Sequence, residues 1–214
     1  NELVHSLDFK CDFEMKNSVF FARKEEDVDW LRKEFECRRK FGFGVEWLSG
    51  SHLLKQFHVA GKGAIVSDKA ATVDAYALTH QLLHYAVTHH GLRVFDHTPA
   101  EEISREDDHP VVFTDNESRI SCDNLVFATG YESEKYIGES VAKLVSTYAM
   151  VSEPLKIIPP SIYTSVFWDT SAPYFYMRST ADGRLLVSGG DEPFTNPALR
   201  DALIDRKEAN LVEE

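Results

Sequence analysis

Between Thr72 and Gly130 the spacing of apolar residues changes twice, and this restricts the folds open to the chain more than any other feature. Ala75, Leu78, Leu82, Tyr85 and Ala86 share one helical face, and Gly91 closes the segment. The short runs LRVFDHT, AEEISR, PVVFTD and SRISC follow, with turn signals at Asp107-Asp108-His109-Pro110 and Asp115-Asn116-Glu117. They predict four extended segments, the last three forming an antiparallel meander. NLVFATG is then an unbroken apolar run ending in small residues and glycine, the profile of a buried parallel strand whose carboxyl end opens on a crevice. Helix, strand, meander and strand in this order predict part of a doubly wound layer.

The flanking regions follow a different rule. Val28, Leu31 and Phe35 sit at helical spacing among charges between Lys24 and Lys40, and Gly42 and Gly44 stop that helix. A shorter helix is predicted over Ser49 to Phe57, with Ser49 or Ser51 as its cap. LVSTYAMVSEPL, SIYTSVFWD, PYFYMRS and RLLVSGG read as strands of a largely antiparallel sheet, followed by a helix from Ala198 to about Leu211. The expected fold class is α/β joined to α+β. No repeat, low-complexity linker or Gly/Ser-rich hinge separates two domains, so a two-domain arrangement has to be interleaved.

Composition narrows the function classes. With 214 residues, 43% of them hydrophobic, the chain can bury a sizeable core. It contains no run of about 20 apolar residues, so no spanning helix is expected. NELVHSLDFKCDFEMKN lacks the cationic and apolar stretches of a signal peptide, which makes the cytoplasm the expected compartment. A net charge of -12, with cations interspersed among acids, argues against nucleic acid and anionic lipid as partners. Cys11, Cys37 and Cys122 are odd in number and widely spaced, as reduced thiols are. Cysteines and histidines together show no zinc spacing, His89 and His90 read as surface residues, and no metal is expected. Glu101, Glu102, Glu106, Asp107 and Asp108 read as a solvated edge without calcium-loop spacing.

Four stretches together resemble a known superfamily: SVFFA, TVDAYALTHQLLHYAVTHHGLRVFDHTPAEEI, CDNLVFATGYES and YFYMRSTADGRLLVSGGDE. In this order and spacing the chain resembles, from about Ser18 to Phe194, the FAD-dependent amine and amino-acid oxidoreductases that include D-amino-acid, glycine and sarcosine oxidases. The strand-GxGxxG-helix that opens members of that superfamily is missing from the sequence; Gly42-Phe43-Gly44 has no third glycine at the right offset and trails a helix. The chain is therefore expected to be an internal piece of a longer polypeptide, with FAD bound by the parent protein and not by this piece. The resemblance implies a partial doubly wound FAD-binding layer with a β-meander over residues 67–140. It implies an interleaved, largely antiparallel substrate-binding sheet over residues 1–66 and 141–188, and a return to the FAD domain over 189–214.

It also implies a reaction, hydride removal from the carbon beside an amine in a small amine or amino acid, with no indispensable acid–base residue. Arg178 leads the candidates. It stands in a strand rich in aromatics, Tyr174, Phe175 and Tyr176, where an inward cation needs an anionic partner. Its planar fork matches a carboxylate, and the resemblance places a carboxylate-binding arginine at this position, although many relatives have proline where this chain has Met177. The competing reading is a strand-end arginine facing water. Tyr176 and Tyr148 are candidates to donate a phenolic hydrogen bond or wall the pocket, and Phe167 and Trp168 either line it or pack as core. On the cofactor side, Ala128, Thr129 and Gly130 end the apolar strand with small side chains. Ala100 matches a position whose backbone meets the adenine edge, and Gly189 and Gly190 could bring a loop against the flavin or simply end a strand. Asp182-Gly183 needs no role beyond a hairpin tip. Two alternatives stay open: a glycerol-3-phosphate dehydrogenase-like flavoenzyme, in which Arg178 would hold phosphate, and a non-catalytic module binding a peptide or small acid.

Overall fold

The computed structural model describes residues 2–138, 143–193 and 196–213. Its elements run α1 (Glu2–Ser6), β1 (Glu14–Ala22), α2 (Val28–Lys40), β2 (Val45–Ser49), α3 (Gly50–Phe57), β3 (Gly63–Thr72), α4 (Ala75–His90), β4 (Ala100–Glu106), β5 (His109–Thr114) and β6 (Arg119–Ser121). There follow α5 (Glu134–Ile137), β7 (Val145–Val151), α6 (Pro160–Tyr163), β8 (Ser165–Asp169), β9 (Tyr176–Ser179), β10 (Leu185–Pro193), α7 (Pro197–Asp201) and α8 (Ile204–Glu213). The chain divides into two compact units, Asn1–Leu78 with Val145–Glu214, and Thr79–Leu144. The first is made from both ends of the sequence.

The first unit is built on a seven-stranded sheet ordered β2-β3-β1-β8-β9-β10-β7. Only the β1–β8 pair is parallel; the other pairs are antiparallel. β1 carries the run Val19-Phe20-Phe21-Ala22, all buried, because both faces of the sheet are covered there. On one face Val19, Phe21 and Phe167 pack with Leu53 and Phe57 of α3. On the other, Phe20, Ala22 and Ile65 pack with Leu31 and Phe35 of α2. α2 and α3 lie where their spacing predicts, and Ser49 caps α3 by accepting the His52 N–H.

Three features depart from expectation. β2 and β3 are additional strands, and the Ser67-Asp68-Lys69 stretch of β3 hides the usual alternation. The C-terminal helix is two helices, α7 and α8, with the Asn196 side chain capping the first. β10 runs on through Gly189 and Gly190 to Pro193, and α8 belongs to the same unit as the large sheet.

The second unit contains the expected meander, β4-β5-β6, in antiparallel register. The two flanking strands expected here are not formed: LRVFDHT and NLVFATG run as irregular chain, and Val126 is 81% exposed. A parallel strand needs laddered neighbours on its edges. The only sheet among the described residues of this unit is the meander, whose register is wholly antiparallel. No described helix is long and apolar enough to cross a membrane.

Candidate functional site

β9 lies between β8 and β10, and its alternation decides which side chains share a face. Met177 packs against the Phe21–Phe167 cluster. Tyr176 and Arg178 consequently project from the opposite face. Register places Tyr176 between Trp168 and Ser188, and Arg178 between Val166 and Leu186. Trp168 is fixed there: its ring stacks on Phe20 at 4.2 Å between centroids, and its indole N–H donates to Ser18 Oγ at 3.0 Å.

Arg178 is partly buried, and its Nη1 donates to the Ser179 carbonyl at 3.3 Å. Among the described residues no carboxylate lies within ion-pairing distance of it. Neighbouring arginines differ, since Arg23 pairs with Asp169 at 2.6 Å and Arg184 with Asp182 at 2.7 Å. The Tyr176 hydroxyl has no hydrogen-bond partner among the described residues. Burial raises the Tyr176 pKa above the ordinary tyrosine value, the Arg178 charge opposing the shift and Tyr174 adding to it.

Arg178 opens on a cleft of about 430 Å³ whose lining includes Asp12, Glu14, Asp74, Thr180 and Asp182. Among the described residues, Arg178 is the one cation in that lining. Three of the acids already have partners: Glu14 pairs with Lys16 Nζ at 2.7 Å, Asp74 accepts the Ala77 N–H at 2.9 Å, and Asp182 holds Arg184. The Asp182 carboxyl sits below its ordinary pKa because Thr180 donates to it, with Arg184 reinforcing the effect.

Tyr148 is not brought to this face. It pairs with Gly189 across the sheet, and its hydroxyl donates to the Arg200 carbonyl at 3.0 Å, which ties it to α7. Gly189 is required by the chain's own packing, and Gly190 is favoured by its left-handed backbone. At φ 153° a Cβ on Gly189 would stand 2.5 Å from the Tyr174 carbonyl oxygen; Gly190, at φ 64°, faces the aliphatic part of Lys207 at 3.4 Å. In the second unit Ala100 opens β4 opposite Thr114 and is exposed. Ala128, Thr129 and Gly130 are also exposed; Thr129 Oγ1 meets Ser133 Oγ at 3.0 Å, and the space before Gly130, at φ 62°, is open. One residue escaped sequence reasoning. Asp169 ends β8 with its carboxylate fully buried and hydrogen-bonded, and its only sequence signal was an acid closing an aromatic strand.

The chain belongs to the DAO family of FAD-dependent oxidoreductases, whose family model it matches over residues 1–213. None of the curated protein sequences gives a significant match. Among solved structures it is similar to glycine oxidase from Geobacillus kaustophilus, with a TM-score of 0.73 and 20% identity over 90% of this chain and 53% of that one. L-Proline dehydrogenase from P. horikoshii gives 0.73 and 15%, over 91% and 54%. L-alpha-Glycerophosphate oxidase from Mycoplasma pneumoniae, with FAD bound, gives 0.70 and 14%, over 87% and 52%. The chain thus spans about half the length of these structures, and at such identities the likeness is one of fold.

FAD is the cofactor of the family. For its phosphates the sequence offers no strand-GxGxxG-helix, and the space in front of Gly189 is taken by the Tyr174 carbonyl.

Proposed function

We propose that the β8–β9–β10 face is the substrate-binding wall of an enzyme that oxidises the C–N bond of a small amino acid or related amine. Bound FAD would supply the two-electron acceptor. In this reading Arg178 holds the substrate carboxylate through its two-donor fork, and Tyr176 donates a phenolic hydrogen bond to the same group. The Trp168–Phe20 stack gives that end of the site a rigid apolar floor. Ala100, Ala128, Thr129 and Gly130 remain candidates for cofactor contact through exposed backbone.

The observation that carries the reading is a partly buried guanidinium, on the strand face it shares with Tyr176, without a carboxylate partner among the described residues. A group so placed is stabilised by an incoming anion. The cleft beside it also bears on the kind of anion. Glu14 and Asp182 are offset by Lys16 and Arg184, but Asp12 and Asp74 have no ion-pair partner among the described residues and oppose a phosphate dianion. A zwitterion, with one carboxylate for Arg178 and an ammonium for the acidic side, suits this field. That favours an amino acid over glycerol phosphate.

The test is Arg178→Ala in the FAD-bound holoenzyme. Loss of a buried charge pair is expected to lower kcat/KM for carboxylate-bearing amines by about 2–5 kcal/mol. Amines lacking the carboxylate should be nearly unaffected, and equal losses for both substrate types would remove the anchoring role.

A further inference from the structure

Resting on that reading of Arg178, we infer that Asp169 is the positioning residue that fixes which face of the sheet presents Tyr176 and Arg178. Its carboxylate is fully buried and accepts four hydrogen bonds. Oδ2 takes the Arg23 Nε–H at 2.6 Å and the Ser171 hydroxyl at 2.9 Å. Oδ1 takes the Ser171 N–H at 3.1 Å and the Phe175 N–H at 2.9 Å. One carboxylate thus clamps both ends of the loop that returns the chain from β8 to β9. The Asp169 N–H donates to the Phe175 carbonyl at 3.2 Å and closes the same loop through the backbone.

Phe175 is the last residue before β9, so the clamp sets the phase at which the strand enters the sheet. Strand side chains alternate with a period of two, and a slip of one residue would send Arg178 to the helix-covered face and bring Met177 out in its place. β9 has only four residues, and its own ladder is a weak guard against such a slip. Thr170 and Tyr174 also hold the loop. Thr170 donates its N–H to the Phe21 carbonyl at 3.1 Å and its hydroxyl to Asp27 Oδ2 at 2.6 Å. The missing side chain of Gly189 admits the Tyr174 carbonyl. Neither addresses both ends of the loop as Asp169 does.

Asp169→Asn in the FAD-bound holoenzyme tests this, since Asn keeps the volume but can no longer accept from all four donors. KM for a carboxylate-bearing amine should rise about tenfold or more with kcat within about twofold, as a misplaced binding group requires. Affinity for propionate, followed by tryptophan fluorescence, should fall by the same factor, while KM for an amine without a carboxylate stays put. General loosening would move both substrates together, and that result, or an unchanged propionate affinity, overturns the inference. Should Asp169→Asn not fold, Ser171→Ala removes one of the four hydrogen bonds, that of the hydroxyl, while keeping the backbone N–H, and is expected to weaken propionate about threefold; no weakening overturns the inference equally. Arg178→Ala run in parallel separates the two readings. If it leaves propionate binding intact, the anchor itself is wrong and the inference falls with it. If it weakens propionate while Asp169→Asn does not, only the role of Asp169 is lost.

Discussion

The helices of the two units meet opposite fates. In the first, α2 and α3 bury Leu31, Phe35, Leu53 and Phe57 against the two faces of the large sheet. In the second, to which α4 belongs from Thr79 on, that helix is the longest described, yet none of its residues is buried; Leu82, Leu83 and Val87 stay exposed, as do Val94, Phe95 and Val126 beyond it. Buried apolar residues of that unit cluster on β5, at Val111 and Val112. The difference teaches that an apolar stripe records a demand for burial and not its satisfaction. Where a helix packs on a sheet face, as α2 and α3 do, its apolar residues become core; along α4 they remain at the surface.

If this contrast is right, the largest loss of stability will come from the sheet of the first unit. Phe167 is fully buried between α3 and the centre of the sheet, and Phe167→Ala is expected to cost about 3–5 kcal/mol in denaturant unfolding of the chain. Gly189→Ala comes next. Its Cβ would meet backbone, which cannot swing aside, at a φ unfavourable for an L residue, so about 1–3 kcal/mol is expected by the same measurement. A cost near zero would mean that the β10 backbone yields, and that the loop before β9 is less firmly held than its hydrogen bonds imply.

The same contrast explains what the sequence made legible. α2, α3 and the Ser49 cap were readable because charge and apolar periodicity agree with the local cap chemistry. The meander was readable because each strand is short and bounded by Asp, Asn and Pro turns. NLVFATG was misread as a strand because burial by non-local neighbours is not a local property. Within the site, Arg178 and Tyr176 share a face by simple alternation, but assigning Tyr148 a face requires its register against β10. That ladder shifts between Gly189 and Glu192, which no local spacing reveals. Asp169 was overlooked for a similar reason, since three of its four donor groups come from residues after the strand it ends and one, Arg23, from the far end of β1.

Smaller effects sharpen the picture of the first unit. Ser49→Ala removes the acceptor for the His52 N–H at the start of α3 and should cost about 1 kcal/mol, read from the unfolding midpoint. At the other edge of the sheet, Lys207 donates to Glu192 at 2.7 Å and holds its carboxyl below the usual glutamate range, first through that hydrogen bond and then through its charge. A depressed folded pKa gives stability that is present above the unfolded glutamate range and is lost as pH falls through the folded value. The melting temperature should decline over that acidic window, and Lys207→Met should flatten the part of the decline due to Glu192.

The smallest expected effect is the most discriminating, because it sets the two readings of NLVFATG against each other. In a buried parallel strand Val126 would be enclosed, and Val126→Asp would bury an unpaired carboxylate at a cost of several kcal/mol. In the structure its side chain is 81% exposed, and the same substitution should change stability by no more than about 0.5 kcal/mol. Unfolding of the 214-residue chain with and without the substitution measures the difference directly. A loss of several kcal/mol would show that the segment is packed in solution and would erase the contrast between the units. A negligible loss in this chain, together with a large one in the FAD-bound holoenzyme, would show that the apolar run acquires its neighbours only there.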